Sequence, residues 1–242
     1  MSAGGSGRFA AAIASENARG FTAVIPDIKC VSPKEGDLLR GRDPVVTAKQ
    51  LVGFGAPVLS VVTERERFGG SPQLLRSIAD AAGVPVLRKD FITSEDMLKE
   101  TLELGAAAVL LICAIMETEA LGRLYEKSLS LGLEPFVEVC SAGEMESAKA
   151  LGARLVGVNN RNIATLELDE GGPSRTAELA SRVPDGAILV SESGILTTRD
   201  AELAADSGAN AVLVATALLQ ADDMHAAYRS LMVSYAQVSA FL

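Results

Sequence analysis

The chain has 242 residues, enough for one domain with a sizeable core. Its 22 Lys and Arg against 31 Asp and Glu give a net charge of −9 and a pI near 4.8, which argues against nucleic acid or an anionic membrane as a partner. No apolar run reaches the length of a bilayer span, and Met1-Ser-Ala-Gly-Gly-Ser-Gly lacks the basic-then-apolar order of a signal sequence.

Residues 1–8 open Gly/Ser-rich and are expected to be disordered. Phe9 to about Asn17 reads as a short helix with Gly20 as its stop. From there strands and helices alternate. Candidate strands start near Val24, Pro57, Val84, Ala107, Leu133, Arg154, Ala187 and Asn210. Their spacing of about 20 to 35 residues is that of a βα unit. Helical patterns fill the gaps at Asp43–Phe54, Pro72–Ala82, Ser94–Leu104, Glu117–Leu131, Ser141–Leu151, Ser174–Arg182 and Thr198–Ser207. Asp43, Ser71, Ser94, Ser141 and Thr198 are candidate N-caps. Gly55, Gly83, Gly105, Gly152 and Gly208 each precede Ala or Val, where a left-handed residue would end a helix before the next strand.

The strands are apolar throughout, as strands buried on both faces must be. Several end in polar groups: Asp27 and Lys29, then Arg88-Lys89-Asp90, then Glu138, then Asn159-Asn160-Arg161, then Ser191-Glu192-Ser193. One such ending is unremarkable. Five of them point to a single (β/α)8 barrel over residues 1–242, with a short N-terminal helix and its reactive groups at the C-terminal mouth. A dinucleotide-binding open sheet is disfavoured, because no Gly-x-Gly-x-x-Gly follows the first strand.

Asp27 and Lys29 are two apart and share a face of the first strand. Lys89 and Glu138 close the third and fifth strands and should meet across the mouth, a lysine as general acid and a glutamate as base or acid. Phosphate is expected at the loops after the last two strands. These offer Ser191-Glu192-Ser193-Gly194 and a possible helix start at Ala215-Thr216, with Ser32-Pro33-Lys34 nearby. Cys30, Cys113 and Cys140 lack metal-ligand spacing, and His225 is a remote sole histidine. They read as reduced thiols of a cytoplasmic protein without a metal site.

Seven stretches carry a resemblance. They are Asp27-Ile-Lys-Cys-Val-Ser-Pro-Lys, Leu59-Ser-Val-Val-Thr-Glu with Phe68-Gly-Gly-Ser, Val86-Leu-Arg-Lys-Asp-Phe-Ile, Val109-Leu-Leu-Ile, Phe136-Val-Glu-Val, Gly157-Val-Asn-Asn-Arg-Asn and Val190-Ser-Glu-Ser-Gly-Ile. In this order, over roughly residues 9–220, the chain resembles the indole-3-glycerol-phosphate synthase family of tryptophan biosynthesis. The resemblance implies a decarboxylating lyase that closes an indole ring on 1-(2-carboxyphenylamino)-1-deoxyribulose 5-phosphate, with no metal or organic cofactor. Its partner would be that phosphorylated small molecule, and the protein would be a monomer or weak homo-oligomer.

The resemblance also implies roles. Lys89 would protonate the ribulose carbonyl. Lys29 would pair with the anthranilate carboxylate, and Glu138 would serve as base or acid when the hydroxyl leaves. Asp27 and Asn159 would complete the catalytic set. Ser32, Arg161 and Glu192 would hold substrate, and Phe68, Phe91, Leu110 and Ile163 would wall the aromatic ring. Ser32, Ser193, Gly194, Ala215 and Thr216 would bind phosphate. A paralogue acting on another phosphorylated substrate, or a non-catalytic phosphometabolite binder, uses the same barrel; Lys29, Lys89, Glu138 and Asn159 together argue against a pure binder.

Three features depart from the family pattern. Asp27 stands where the family has glutamate, pulling the carboxylate back by about one methylene. Ala215 replaces a phosphate-loop glycine, so its methyl is expected to press on the bound anion. About twenty residues precede the first strand. The family usually has more, so part of its N-terminal helical lid over the active site is expected to be missing.

Overall fold

The computed structural model describes residues 7–161 and 172–235. Among these, eight parallel strands close a barrel: β1 (Ala23–Ile28), β4 (Leu59–Val62), β5 (Val86–Lys89), β6 (Ala108–Ile112), β7 (Glu134–Val139), β8 (Leu155–Asn159), β9 (Ile188–Glu192) and β10 (Ala211–Val214). β1 closes the ring by pairing with β4 on one side and β10 on the other. Each barrel strand begins within two residues of the expected position, because a continuous apolar run bounded by glycine and polar residues marks a doubly buried strand. The sequence pattern did not disclose a small ribbon after β1, formed by β2 (Val31–Ser32) and β3 (Gly36–Asp37).

Helices α2 (Pro44–Gly53), α3 (Pro72–Ala82), α4 (Glu95–Glu103), α5 (Thr118–Ser130), α6 (Ala142–Ala150), α7 (Ser174–Leu179) and α8 (Thr198–Asp206) pack outside the barrel, followed by α9 (Thr216–Leu219) and α10 (Met224–Leu231). Asp43, Ser71, Ser94 and Ser141 cap as expected, each accepting a backbone N–H from the first turn. The cap of α8 is Thr197 rather than Thr198. Thr197 and Asp200 form a reciprocal capping box, which needs a spacing of three. The five glycines expected to end helices all have positive φ, from 66° at Gly152 to 114° at Gly55.

Two apolar layers result. An outer one lies between strands and helices. An inner one fills the barrel with residues such as Ile25, Leu87, Leu110, Phe136 and Val190, and it includes Phe9 and Ile13 of α1 (Arg8–Ala18). α1 therefore plugs the barrel rather than covering its mouth. Its side chains and backbone meet Glu134 at the start of β7 and the carbonyl of Asn210 just before β10, which are the N-terminal ends of strands. Its apolar Phe9 and Ile13 seal the end opposite the polar mouth, so this helix is not part of a lid over the active site. α1 starts at Arg8, within the stretch 1–8 expected to be disordered; residues 1–6 lie outside the described residues.

Candidate active site

The polar groups that end the barrel strands converge at the C-terminal mouth. Lys89, last residue of β5, sets its ammonium 3.5 Å from Glu138 Oε2 on β7 and 3.2 Å from Glu192 Oε2 on β9. Asn159, last residue of β8, donates from Nδ2 to Glu138 Oε1 at 3.1 Å. Asp27 on β1 is in register with Ser60 on β4, and the Ser60 hydroxyl donates to its carboxylate at 2.6 Å. Lys29, just past β1, lies with its ammonium 4.4 Å from the centre of the Phe68 ring, a cation–π arrangement. Asp27, Lys29, Glu138, Asn159 and Glu192 are buried and Lys89 nearly so, so each charge is felt at low dielectric.

Glu192 is the extreme case. It is fully buried, and burial pushes its carboxyl up to about 8, with Lys89 pulling it back and Glu138 raising it further. Its nearest cation among the described residues is Lys89, whose ammonium stands 3.2 Å from Oε2. Gly157 makes its position possible. A Cβ at Gly157 would come within 2.5 Å of Glu192 Oε1 and 2.2 Å of the Phe136 ring.

Two clefts meet over these groups and share Asp27, Lys29 and Lys89. The first, about 530 Å³ and open at the mouth, is walled by Val62, Phe68, Phe91, Leu110 and Ile112, with Glu64, Asp90 and Asn159 also lining it. The second, about 440 Å³, is lined by Arg161, Ser193, Gly194, Ile195, Ala215 and Thr216 among others. Ser193 and Gly194 both take left-handed φ, 64° and 75°. This turn is held by Asn160, whose Nδ2 donates to Ser191 Oγ, Glu192 O and Ser193 O and whose Oδ1 accepts from Thr176. Arg161 Nε is buried with no hydrogen-bond partner among the described residues, a donor suited to an anion.

Ala215 has φ −107°, ordinary for an L-residue, so the backbone there does not require glycine. Ser32 does not line either cleft among the described residues; its hydroxyl accepts the N–H of Lys34 and Glu35 in its own turn. Ile163 lies outside the described residues.

Four supporting groups carry roles that the sequence pattern did not assign. Ser60 fixes Asp27, Glu64 borders the apolar cleft, and Asn160 shapes the Ser193 turn. The fourth is Asp90, which joins Arg88 and Thr63 in a closed network: Thr63 Oγ1 donates to Asp90 at 2.6 Å, and Arg88 reaches both. Arg88 is nearly fully buried and points away from Lys89, toward Glu100 and Thr101. Glu64 carried the same signal as the others, a polar residue just past an apolar strand. The partnership of Ser60 with Asp27 had no local signal. Among the described residues no cluster of His, Cys, Asp and Glu is arranged to hold a metal. Burial pushes the Cys113 and Cys140 thiols up, to about 12 and about 11, and they are free.

A family model for indole-3-glycerol phosphate synthase matches residues 4–231. Relatives bearing that name include one from Kineococcus radiotolerans, 44% identical over 211 residues, covering 87% of this chain and 76% of the relative. One from Nocardioides sp. is 43% identical over 86% of this chain and 79% of its own. One from Pyrococcus furiosus is 40% identical over 83% and 87%. A match this continuous spans every barrel strand, from β1 through β10. The chain belongs to the indole-3-glycerol phosphate synthase family.

Proposed function

We propose that this chain converts 1-(2-carboxyphenylamino)-1-deoxyribulose 5-phosphate into indole-3-glycerol phosphate. The observation that carries this reading is the placement of Lys89. Its ammonium, flanked by Glu138 and Glu192, lies where the apolar and the polar cleft join. The substrate has the same two halves. An aromatic ring suits the slot between Phe68, Phe91 and Leu110, and a phosphate suits the Arg161, Ser193-Gly194 and Thr216 end. The carbonyl that links them then falls beside Lys89.

In the first step the ring carbon bearing the carboxylate attacks that carbonyl. Charge develops on the carbonyl oxygen, and Lys89 stabilises it and gives it a proton. Lys29 holds the carboxylate until the bond to it breaks and CO₂ leaves, its electrons restoring the ring. Glu138, oriented by Asn159, then serves as the acid and base through which the new hydroxyl departs as water. One CO₂ and one water are released, and the steps balance without oxidant or reductant. Asp27, tethered by Ser60, stands by Lys29 and Lys89 in both clefts as a charge partner and proton relay. Glu192 keeps Lys89 in place, and Ser32 acts through the turn it braces.

The same reading makes the protein a cytoplasmic biosynthetic enzyme working as a monomer or weak homo-oligomer, which sedimentation would check. The direct test is indole fluorescence during incubation with the carboxyphenylamino-ribulose phosphate. A rising signal is expected; saturable binding of that compound without any rise would leave a binding protein instead.

A further inference from the structure

The loop between β4 and α3 is folded around one side chain. Glu64 Oε2 accepts the N–H of Arg67 at 2.8 Å and of Phe68 at 3.2 Å, while Oε1 accepts that of Glu66 at 3.1 Å. The backbone closes the same knot, since Gly70 N–H donates to the Glu64 carbonyl at 2.8 Å. Gly70 lets the chain fold back on β4 itself: a Cβ there would stand 2.2 Å from the carbonyl of Val62. Phe68 O accepts the N–H of Val31, tying the loop to the strand that follows Lys29.

The two residues gripped by Oε2 reach the two aromatic walls of the apolar cleft. The Phe68 ring lies under the Lys29 ammonium at 4.4 Å, and the Arg67 guanidinium lies 5.5 Å from the centre of the Phe91 ring. Glu64 therefore fixes, through adjacent backbone amides, one wall itself and the cation stacked on the other. Its own carboxylate also lines the cleft, but with three N–H groups directed at it its charge is taken up by the loop. Without it those amides lose a charged acceptor and Phe68 is free to swing off Lys29.

We infer that Glu64 is a positioning residue that sets the aperture of the aromatic slot, and hence the enzyme's grip on the ring half of its substrate. For the identity of that ring the inference rests on the synthase reading. It differs from a mere loop staple in what it predicts. A staple affects stability alone; a slot-setting residue acts on ring binding, and chiefly through Phe68.

The test is a cycle of Glu64→Ala, Phe68→Ala and the double variant, with Glu64→Gln as the conservative change. Glu64→Ala should raise KM on the order of tenfold. It should change kcat by less than about twofold and leave inorganic phosphate affinity untouched. Glu64→Gln, which keeps an acceptor oxygen, should recover most of the loss. In the Phe68→Ala background, Glu64→Ala should add little, as expected for residues that act as one unit. Amide hydrogen exchange at 66–68 should quicken in Glu64→Ala. An unchanged KM, or effects of the two single variants that multiply independently, would overturn the inference. If the wild-type chain makes no indole product, the synthase reading fails on its own. The same cycle read by calorimetry with anthranilate then still decides the slot: loss of binding confined to the Phe68 background supports it, and equal binding by wild type and Glu64→Ala overturns it.

Discussion

β7 carries two glutamates, Glu134 and Glu138, on the same inward face at opposite ends of the barrel. Both are buried. At the closed end, Glu134 accepts the backbone N–H groups of Phe9 at 2.7 Å and Ala10 at 2.9 Å. α1 has Gly7 at its N-terminus and no side-chain cap of its own, so a strand 125 residues away supplies the cap. At the open end, Glu138 faces Lys89 and Asn159, and a second carboxylate, Glu192, stands beyond the lysine. The difference lies in the partners. Backbone amides hold a carboxylate in one place. A lysine shared by two carboxylates can give up or regain a proton, and that leaves the charge at the mouth available for chemistry.

The largest effect should come from breaking the open end. Lys89→Met is expected to lower kcat by roughly a hundredfold or more. It should also destabilise the fold, because Glu138 and Glu192 then face each other without their cation. The stability loss should be greater at pH 8.5 than at pH 5, where a carboxyl pushed up in the fold is protonated. Kinetics beside melts at both pH values check this. Near-normal kcat in a folded variant would remove Lys89 from the chemistry.

Glu192→Gln sharpens the same end. The Glu192 carboxyl is pushed up from 4.5 to about 8 in the folded chain. The folded state therefore holds an extra proton between those values, and the stability this gives is full below about pH 4.5 and lost as pH rises through 8. The variant should match wild type in stability near pH 4.5 and exceed it increasingly toward pH 8.5, by up to a few kcal/mol. Denaturant titrations across that range read the difference. A flat difference would mean that Lys89 keeps Glu192 ionised throughout.

Breaking the closed end should be purely structural. Glu134→Ala leaves two helix N–H groups without a charged acceptor, a loss of about 1–3 kcal/mol, with kcat per folded molecule unchanged. A drop in kcat without a drop in stability would mean that the two ends are coupled.

The smallest effect is expected at the phosphate loop. Ala215 has φ −107°, so Ala215→Gly relieves no backbone strain. It should change inorganic phosphate affinity by about twofold or less, measured by calorimetry. A tenfold gain would show that the methyl itself presses on the anion.

The sequence by itself determined the alternation of strands and helices, four of the five helix caps it suggested, and which side chains end strands at the mouth. Those signals are local: continuous apolar runs, turn residues, and polar groups where an apolar run stops. Asp27, Lys29, Lys89, Glu138, Asn159 and Glu192 were legible for that reason. Only the tertiary structure decided what each faces. The same pattern that marks Glu138 also marks Glu134, and nothing local says that one meets a lysine and the other a helix end. The role of α1 as a plug, the tether of Ser60 to Asp27 and the space Gly157 leaves for Glu192 follow from barrel closure and strand register. Those are set by packing among residues far apart in the chain, and a carboxylate's function depends on the donors that packing brings to it.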